Sequence, residues 1–527
     1  MLKLQEFMLE KNPTRRELLE YNSQSTELVR VGIYRNHSFE LIEHTIPAYL
    51  DFAGLRAEFV YSDYDDSLSF INIDKNVDML ILWLDMTRYK TSNLNEFLEE
   101  RIGFLCQMFT KPVLLIPFEG VVEIKNKSVI TLNLDHIKEE LGNGYLDLRM
   151  ESYTGTKLSA RAGVRISKEL GLKYIPAAIK PALKAIILDL DNTLYKGVLG
   201  EDGINGVMLT EGHKVLQQKL KELSSQGFFL CIASKNDIRD VIDMFRQRKD
   251  FPLKESDFVA IRASWDEKSI AVRELLKTLN INADSLIFID DNIGELTAMR
   301  FAYPTIKILH AKGDGRKTAE MLAFYPGLLK LSVQPEDAIR KEDTRANLER
   351  EELRSKLSKE DYIKSLEIKL MFDINNPKNM QRIQELANKT NQFIFNYMRY
   401  SYGELEKVLN SGNGAIISVS LSDKLSDSGI IGACVAIKEK DYVRIEEMFV
   451  SCRALGRGID DVIVLGCITE AAKYLGLKKV KVQFKRGERN EPAEIFVGDF
   501  LSEYIEEEKE LKYEFPKDML EIIIRKG

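Results

Sequence analysis

The chain has few cysteines, no long apolar run and no long run of basic residues. Its 5 cysteines are scattered among 527 residues and never form a CxxC pair, which argues against a disulfide framework and a cysteine-based zinc site. No apolar stretch reaches the ~18–20 residues that a membrane helix needs. The N-terminal stretch contains acidic residues and lacks a small-residue cleavage site. We therefore expect a cytoplasmic protein that neither spans a membrane nor begins with a signal peptide.

The chain also lacks a large excess of charge of either sign. The sequence has 75 Lys and Arg residues against 82 Asp and Glu residues, a net charge of -7. A mildly acidic chain without a basic cluster lacks the electrostatic footprint of nucleic-acid binding. We therefore expect no nucleic-acid partner.

Apolar and charged residues are abundant, at 44% and 30% of the chain, which is typical of folded globular domains. The chain is too long for one hydrophobic core. The order of strand-like and helical patterns predicts an α/β protein of three domains. These are a small α/β domain (1–178), a doubly wound parallel sheet (179–333) and an α+β domain (367–527), with a charged helical linker (334–366).

Two aspartates, Asp189 and Asp191, stand at the end of the predicted buried strand Ala185–Leu190. Ligands of open α/β sheets bind at the carboxyl ends of strands, and side chains two residues apart on an extended chain point to the same side. One carboxylate can attack phosphorus while the other moves the proton of the attacking or leaving oxygen. The alternative is an acidic turn after a core strand.

Later strand ends add the other groups that phosphoryl transfer needs. Ser234 supplies a hydroxyl donor and Lys268 a fixed positive charge, whereas Asp290 and Asp291 offer hard oxygen ligands for Mg²⁺. A lone serine or lysine at a strand end is usually a helix cap or a solvated residue. Four ordered strand ends that carry a nucleophile, a donor, a cation and metal ligands instead indicate a Mg²⁺-dependent phosphoryl-transfer site.

The intervals between these motifs are short. Core strands and helices use most of the interval from Thr193 to Ser234 and of the interval from Ser234 to Lys268. We therefore expect no separate cap domain. A site without its own lid can admit a large or protein-borne substrate, or a neighbouring domain can close it.

The four motifs resemble those of the haloacid dehalogenase (HAD) superfamily. By that resemblance Asp189 forms an aspartyl-phosphate and Asp191 is the general acid/base. The resemblance also implies that Asp189, the backbone carbonyl of Asp191, and either Asp290 or Asp291 hold Mg²⁺. The choice between the last two aspartates stays open.

A longer match resembles the capless FkbH-like subgroup, also called HAD-IIIC. The matching segments are Asp189-Leu-Asp-Asn-Thr-Leu-Tyr-Lys-Gly-Val-Leu-Gly-Glu-Asp-Gly203, Ser234-Lys-Asn236, Phe288-Ile-Asp-Asp-Asn292, Thr390-Asn-Gln-Phe393 and Ser451-Cys-Arg-Ala-Leu-Gly-Arg-Gly458. By this resemblance Asn192, Thr193, Lys235 and Asn236 are expected to contact substrate. Members of the subgroup are associated with taking a glyceryl unit from 1,3-bisphosphoglycerate and delivering it as a thioester to an acyl carrier protein, so the resemblance implies both partners.

One loop of the last domain resembles the [Arg/Gln]-x-x-Gly-x-[Gly/Ala] motif of GNAT acyltransferases. The loop contains Arg453, Gly456, Arg457 and Gly458 and lies between a predicted strand and a predicted helix. Free backbone N–H groups and the helix dipole would hold the pyrophosphate of coenzyme A or a phosphopantetheine arm there. The alternative is a glycine-rich turn. The final helix lacks the tyrosine that many GNAT enzymes use, so the domain is expected either to catalyse acyl transfer or only to dock a carrier.

A thioester relay through the protein needs a thiol, and Cys452 directly precedes this loop, where a thiolate would be stabilised. The alternative is that Cys452 is a small buried hydrophobe.

The first domain resembles, more loosely, a degenerate SGNH-hydrolase-like domain. His37 and Ser38 follow its first strand, but no Gly-Asp-Ser sequence occurs, so we expect a structural or substrate-guiding role.

The leading hypothesis is an enzyme that loads a glyceryl unit from 1,3-bisphosphoglycerate onto an acyl carrier protein, with HAD-type phosphoryl transfer coupled to acyl transfer. One rival is a HAD phosphatase that acts on another phosphorylated metabolite. A second rival is a GNAT-type acyltransferase of polyketide, other natural-product or glycan biosynthesis. The sequence indicates neither the carrier protein nor the oligomeric state.

Overall fold

The computed structural model describes most of the chain. The described residues are 2–64, 67–91, 93–120, 122–126, 128–331, 343, 346, 347, 349, 350, 353, 354, 356–451, 454, 455, 457–487 and 490–527. The chain divides into two compact units, Met1–Val272 with Ala283–Val333, and Arg273–Asn282 with Gln334–Gly527. The predicted linker 334–366 is described only in part, with its last residues forming a helix (Lys359–Leu366), and the predicted domain boundaries stay a prediction.

The first sheet of the first unit is parallel, with strand order β2-β1-β3-β4-β5. Its strands are β1 (Leu28–Arg35), β2 (Arg56–Tyr61), β3 (Met79–Asp85), β4 (Val113–Glu119) and β5 (Val129–Thr131). The helices of this region are α1 (Leu2–Gln5), α2 (Arg15–Leu19), α3 (Glu40–Glu43), α4 (Pro47–Phe52), α5 (Leu94–Met108), α6 (Asp135–Leu141), α7 (Glu151–Thr154), α8 (Ala160–Glu169) and α9 (Ile175–Ile179). Every residue of β3 is buried, as expected for an inner strand covered on both faces.

The central sheet is also parallel, with strand order β10-β9-β6-β7-β8. Its strands are β6 (Ala185–Leu188), β7 (Phe229–Ser234), β8 (Ala260–Ala263), β9 (Leu286–Asp290) and β10 (Lys307–His310). Its helices are α10 (Leu199–Gly206), α11 (Glu211–Ser225), α12 (Ile238–Gln247), α13 (Lys268–Leu279), α14 (Ile293–Ala302) and α15 (Gly315–Ala323). The two intervals in which a cap could be inserted hold only these short core elements.

The N-terminal segment packs against the central sheet. Met8 and Leu9 lie in the same apolar core as Ile186 and Leu188 of β6. The backbone N–H of His310, at the end of β10, donates to the side-chain oxygen of Gln5 at 3.3 Å. The segment before β1 is therefore part of the core around the central sheet.

The second unit contains a mixed sheet with strand order β16-β15-β14-β13-β12-β11-β17. Its strands are β11 (Lys369–Ile374), β12 (Gly414–Ser422), β13 (Asp427–Lys438), β14 (Val443–Val450), β15 (Lys479–Val482), β16 (Lys509–Glu510) and β17 (Glu521–Lys526). Its helices are α16 (Lys359–Leu366), α17 (Met380–Lys389), α18 (Tyr402–Asn410), α19 (Asp460–Leu475), α20 (Glu491–Phe500) and α21 (Ser502–Glu506). The predicted α/β class, with parallel sheets and a further α+β region, is confirmed.

Helix α19 packs closely against the mixed sheet. A Cβ at Gly466 would lie 2.6 Å from a ring carbon of Phe515 and 2.9 Å from one of Phe372, so only glycine fits at this point.

No helix among the described residues is both long and apolar enough to cross a bilayer.

Candidate active site

Asp189 and Asp191 directly follow β6, the middle strand of the central sheet. The N–H of Asp189 donates to the carbonyl of Ile289 on β9 at 2.9 Å, so this aspartate continues the strand pairing. The chain then turns, and Asn192 takes a positive φ of 52°. Because parallel strands flank β6 on both sides, residues at their carboxyl ends surround the two aspartates.

Buried side chains from the ends of β7 and β9 and from the start of α13 meet at Asp189. Ser234 Oγ donates to Oδ1 of Asp189 at 2.9 Å. The ammonium nitrogen of Lys268 lies 2.8 Å from the same oxygen and 2.6 Å from Oδ2 of Asp290. The structure therefore brings together Asp189, Ser234, Lys268 and Asp290, all of which the sequence singled out.

Three donors hold the carboxylate of Asp191. Its Oδ1 accepts hydrogen bonds from the hydroxyl of Tyr195 at 2.7 Å and from the N–H of Leu199 at 2.9 Å. Its Oδ2 accepts a bond from Nδ2 of Asn236 at 3.0 Å, and the same nitrogen lies 3.0 Å from Ser234 Oγ. Sequence reasoning gave Tyr195 no role, although a helical turn after β6 places residue i+4 next to residue i.

Asp189, Asp290 and Asp291 form a cluster of hard oxygen ligands. One carboxylate oxygen of each lies within 4.8 Å of those of the others. His310 Nε2 lies 3.0 Å from the backbone carbonyl of Asp291, and the N–H of Asn292 donates to Oδ1 of Asp290 at 2.9 Å, so both metal-ligand candidates are held in place. An all-oxygen donor set of this size fits Mg²⁺. The structure keeps both Asp290 and Asp291 as possible ligands.

The cluster holds more negative than positive charge. Burial raises the pKa of Asp189 to about 6, with Lys268 acting to lower it and Asp290 to raise it. Burial also raises the pKa values of Asp290 and Asp291. Burial alone would lower the pKa of Lys268, but Asp189 and Asp290 together raise it above its usual value. Three carboxylates thus lie together with one ammonium group, which contacts two of them, and a bound cation would stabilise this arrangement.

Of the four residues that the sequence predicted to contact substrate, two lie at the site and two are engaged elsewhere in the turn or the core. Asn236 belongs to the site through Asp191 and Ser234, and Lys235 lies at its rim, where its ammonium group is 2.7 Å from Glu295 Oε1. Asn192 instead stabilises the turn, since its side-chain oxygen accepts the N–H of Gly197 at 3.1 Å. Thr193 is fully buried, and its hydroxyl has no hydrogen-bond partner among the described residues.

The predicted carrier-binding loop is described only in part. Cys452, Arg453 and Gly456 lie outside the described residues. Gly458 has a φ of +79°, in the left-handed region that favours glycine. The guanidinium of Arg457 is buried and lies 2.8 Å from Asp343 Oδ1 and 3.1 Å from Asp423 Oδ2, so it is engaged within its own unit.

Arg457 belongs to a cluster of two arginines and two aspartates, which we name the four-charge cluster: Asp343, Arg350, Asp423 and Arg457. Arg350 lies 3.2 Å from Asp343 Oδ1 and 2.8 Å from Asp423 Oδ2. All four side chains are at most 3% exposed. Burial raises the pKa of Asp343, but Arg457, Ser426 and Arg350 outweigh it, so the pKa is lowered below its usual value.

A segment of the chain itself occupies the edge of β14 beyond its pairing with β15. The two strands pair only over Val443–Ile445. Farther along, the N–H of Phe395 donates to the carbonyl of Met448, and the N–H of Val450 donates to the carbonyl of Phe393, each at 3.0 Å. An amide-bearing pantetheine arm cannot use these positions while the segment stays in place.

The described cysteines are poor thiolates. Cys231, Cys434 and Cys467 are fully buried, and burial raises the pKa of each, that of Cys231 to about 12. Cys106 is partly buried, and burial raises its pKa too. These cysteines therefore lack the electropositive, accessible surroundings of a reactive thiol.

His37 and Ser38 point to separate partners. The ring of His37 is fully buried, and its centroid lies 4.6 Å from that of Trp83 and 4.7 Å from that of Phe118. Burial lowers the pKa of His37 to about 3, so the ring stays neutral. Ser38 donates its hydroxyl to the carboxylate of Glu40. These contacts support a structural role for both residues.

No protein-family model and no curated protein match the chain. Solved structures do. The N-terminal part of the protein BF1531 from Bacteroides fragilis, containing a phosphatase domain complexed with Mg, is 20% identical with a TM-score of 0.48, and the match covers 60% of this chain and 98% of that chain.

Two shorter matches fall below it in TM-score. The haloacid dehalogenase-like hydrolase SP0104 from Streptococcus pneumoniae is 19% identical with a TM-score of 0.22, over 27% of this chain and 91% of that one. The 3-deoxy-D-manno-octulosonate 8-phosphate phosphatase from Moraxella catarrhalis, in complex with magnesium, phosphate and KDO, is 19% identical with a TM-score of 0.20, over 28% and 89%. At these identities and TM-scores the similarities carry no argument about activity.

Proposed function

We propose that the chain is a Mg²⁺-dependent phosphoryl-transfer enzyme of the HAD type, with Asp189 as the nucleophile. The observation that carries the proposal is the convergence of Asp189, Ser234 and Lys268 with two further aspartates at one edge of the central sheet. A structural ion-pair network would balance its charges, whereas this cluster is short of positive charge. Clusters of perturbed acids of this kind are typical of catalytic sites.

The residues divide the reaction between them. A carboxylate oxygen of Asp189 attacks phosphorus, the bond from phosphorus to the leaving oxygen breaks, and Asp191 gives that oxygen a proton. Asp191 then takes a proton from the water that attacks the aspartyl-phosphate, which releases phosphate and restores Asp189. Bound Mg²⁺ supplies the positive charge that offsets the repulsion between the carboxylate and the phosphoryl group.

The neighbouring side chains position these groups. Ser234 and Lys268 both bind Oδ1 of Asp189 and fix the plane of its carboxylate. Their hydroxyl and ammonium groups are also the donors placed to stabilise the phosphoryl oxygens as charge develops. Asn236 and Tyr195 orient Asp191 through its two carboxylate oxygens.

Phosphate release from p-nitrophenyl phosphate and acetyl phosphate tests this proposal. We expect turnover with Mg²⁺, loss of turnover with EDTA, and loss in the Asp189→Asn variant. Asp240→Asn, an exposed position on α12, is the matched control and should keep wild-type activity. Unchanged turnover in Asp189→Asn would exclude Asp189 as the nucleophile.

At finer detail, we propose that the substrate is 1,3-bisphosphoglycerate and the acceptor an acyl carrier protein. The carrier thiol displaces phosphate from the acyl phosphate to form the thioester, and Asp189 removes the ester phosphate, so that the carrier receives an unphosphorylated glyceryl unit. The extended motif match from Asp189 to Gly203 and at Thr390–Phe393 supports this reading. The short intervals around Ser234 support it too, because a site without its own cap domain can admit a protein-borne substrate. The phosphopantetheine arm would enter at a place other than the covered edge of β14, or displace the segment on it.

Intact masses of a panel of holo acyl carrier proteins test this finer proposal after incubation with the enzyme, Mg²⁺ and 1,3-bisphosphoglycerate. A glyceryl adduct supports it. Phosphate release without an adduct supports the rival phosphatase on another metabolite, and a phosphate-free glyceryl adduct that survives Asp189→Asn supports the rival GNAT-type acyltransferase. An undiminished rate in Cys452→Ala would exclude that thiol as the relay.

A further inference from the structure

His310 is the last residue of β10, the strand beside β9 in the central sheet. The pairing of the two strands places His310 opposite Asp290, and the N–H of Ala311 donates to the carbonyl of Asp290 at 2.9 Å. His310 therefore lies next to the strand end that supplies two of the three carboxylates of the metal cluster. It takes no part in the phosphoryl-transfer steps proposed above.

The ring of His310 holds the peptide that joins Asp291 to Asn292. Nε2 of the ring lies 3.0 Å from the carbonyl oxygen of Asp291. At the other end of the same peptide, the N–H of Asn292 donates to Oδ1 of Asp290 at 2.9 Å. This peptide is thereby fixed at both ends. Fixing it also fixes the backbone of Asp291, and with it the direction of a carboxylate that has one oxygen within 4.8 Å of those of Asp189 and Asp290.

The second ring nitrogen shows where the proton of the imidazole lies. A carbonyl oxygen only accepts hydrogen bonds, and an ammonium group only donates them. Nδ1 of His310 lies 3.2 Å from Nζ of Lys312, so Nδ1 accepts and Nε2 carries the proton that is donated to Asp291. The two partners thus select the tautomer that can bind the Asp291 carbonyl.

Two residues of the segment before β1 hold His310 and Lys312. Glu10 Oε1 lies 3.2 Å from Nζ of Lys312, and the two side chains are 16% and 29% exposed. The side chain of Gln5 is buried, and its Oε1 accepts the N–H of His310 at 3.3 Å. A continuous chain of contacts therefore runs from Glu10 through Lys312 and His310 to the backbone of Asp291.

A histidine that donates to a carbonyl at a strand end is often only a structural contact. Here the carbonyl belongs to one metal-ligand candidate, and the N–H of the same peptide binds the carboxylate of the other. Groups that orient metal ligands from outside the coordination sphere typically change metal affinity by about 10- to 100-fold when they are removed. The contact is therefore expected to act on the metal site as well as on the fold.

We infer that His310 is a positioning residue for Mg²⁺, whose Nε2–H fixes the peptide between Asp291 and Asn292. Lys312, held by Glu10, keeps the ring in the tautomer that this contact requires. The inference rests on the proposed phosphoryl-transfer function. It deepens that function, because it makes the Mg²⁺ affinity of the cluster depend on residues outside the carboxylates themselves.

Titration calorimetry with Mg²⁺ tests the inference directly. His310→Ala should weaken Mg²⁺ binding roughly tenfold or more, because the Asp291 carbonyl loses its donor. His310→Gln should bind Mg²⁺ within about threefold of wild type, since its side-chain amide can donate from nearly the same place as Nε2. His136→Ala, which removes a ring 3.2 Å from Glu169 in the same unit, is the matched control and should leave the affinity unchanged.

Lys312→Met separates positioning from charge. Loss of a positive charge near a cation site should tighten cation binding, because like charges repel. Loss of the group that fixes the ring should weaken it, and we expect Mg²⁺ binding to be weaker by roughly two- to fivefold. Equal or tighter binding would overturn the inference. The same variant decides if His310→Ala does not fold.

The kinetic signature is a split between metal affinity and turnover. In His310→Ala the Mg²⁺ concentration for half-maximal phosphate release should rise about tenfold, whereas kcat at saturating Mg²⁺ should stay within about twofold of wild type. Equal Mg²⁺ affinity in wild type and His310→Ala, or the same loss in His310→Gln as in His310→Ala, would overturn the inference. A wild-type enzyme that binds Mg²⁺ but releases phosphate from no donor would instead overturn the proposed function, so the two failures are distinguishable.

Discussion

The two units each bury a cluster of aspartates with basic partners, and the clusters differ in balance. In the first unit Lys268 contacts Asp189 and Asp290, and Asp291 adds a third carboxylate to the cluster. In the second unit the four-charge cluster pairs two aspartates with two arginines. The pKa of Asp189 is accordingly raised, mainly by burial, whereas the pKa of Asp343 is lowered because its arginine and serine partners outweigh burial.

The difference in charge balance distinguishes a functional site from a structural ion-pair cluster. A balanced buried cluster satisfies its own charges and is costly to break. A cluster with excess negative charge is destabilised until a bound cation supplies the missing positive charge. Such a cluster suits a site that binds a cation and then an anionic substrate group. Substitutions in the two clusters should therefore have opposite consequences.

The largest expected effect is on catalysis in the first unit. Asp189→Asn should lower phosphate release by roughly 10³-fold or more, because the nucleophile is lost. The same variant should raise the thermal unfolding temperature of the first unit in EDTA at pH 7.5, since a neutral amide replaces a carboxylate whose charge is disfavoured by burial. Activity assays and calorimetry measure the two effects. Lower stability without metal would mean that this cluster is structural after all.

The next effect is on the stability of the second unit. Arg457→Met should destabilise that unit by about 3–5 kcal/mol, because Asp343 and Asp423 lose half of their buried positive charge. Denaturant unfolding followed in the second unit measures it. Lys369→Met, which breaks an exposed pair with Glu521, is the control and should change little. A stable Arg457→Met variant would remove the contrast between the clusters.

Metal should stabilise the first unit alone. At a Mg²⁺ concentration 100 times its dissociation constant, mass action adds about 2.7 kcal/mol to a unit that binds the ion only when folded. The unfolding temperature of the first unit should rise with Mg²⁺ and that of the second should not. In Asp290→Asn and Asp291→Asn the rise should shrink, most in the variant that loses the inner-shell ligand. Equal stabilisation of both units would point to non-specific ion effects.

The smallest expected effect is a pH dependence of opposite sign in the two units. The pKa of Asp189 is about 6 in the folded protein and near 4 in an unfolded chain, so the folded form binds more protons between these values. Without metal, the first unit should therefore lose stability as pH rises from about 4 to 6. Asp343 has a lowered pKa, so its contribution is present above the ordinary aspartate pKa and is lost as pH falls below it. Unfolding temperatures at several pH values in EDTA measure both slopes.

The buried parallel strands could be predicted from the sequence because each is a short apolar run that ends at polar residues. The predicted strand Ala185–Leu190 begins where β6 begins and extends two residues beyond its end. The single final helix that the sequence predicts is instead two helices, α20 and α21, and the C-terminal strand β17 was not predicted. The local sequence pattern does not show to which edge of a sheet a strand from a distant part of the chain is added.

The candidate site could be located for a similar reason. Parallel strands present their carboxyl ends at one edge, so Asp189, Ser234 and Asp290 were expected to meet. The partners of Arg457 could not be predicted, because Asp343 and Asp423 are distant in sequence and no periodicity links them. The segment Phe393–Phe395 on the edge of β14 was missed for the same reason, since its pairing is set by tertiary structure.

The most direct test of the central claim is the detection of a phosphorylated enzyme. The protein is mixed with Mg²⁺ and acetyl phosphate, quenched in acid within milliseconds to seconds, and its intact mass and modified residue are determined. We expect a phosphoryl adduct on Asp189 in the wild type and in Asp240→Asn, and no adduct in Asp189→Asn. Turnover with the adduct on another residue, or with no adduct at any time, would contradict the assignment of Asp189 as the nucleophile.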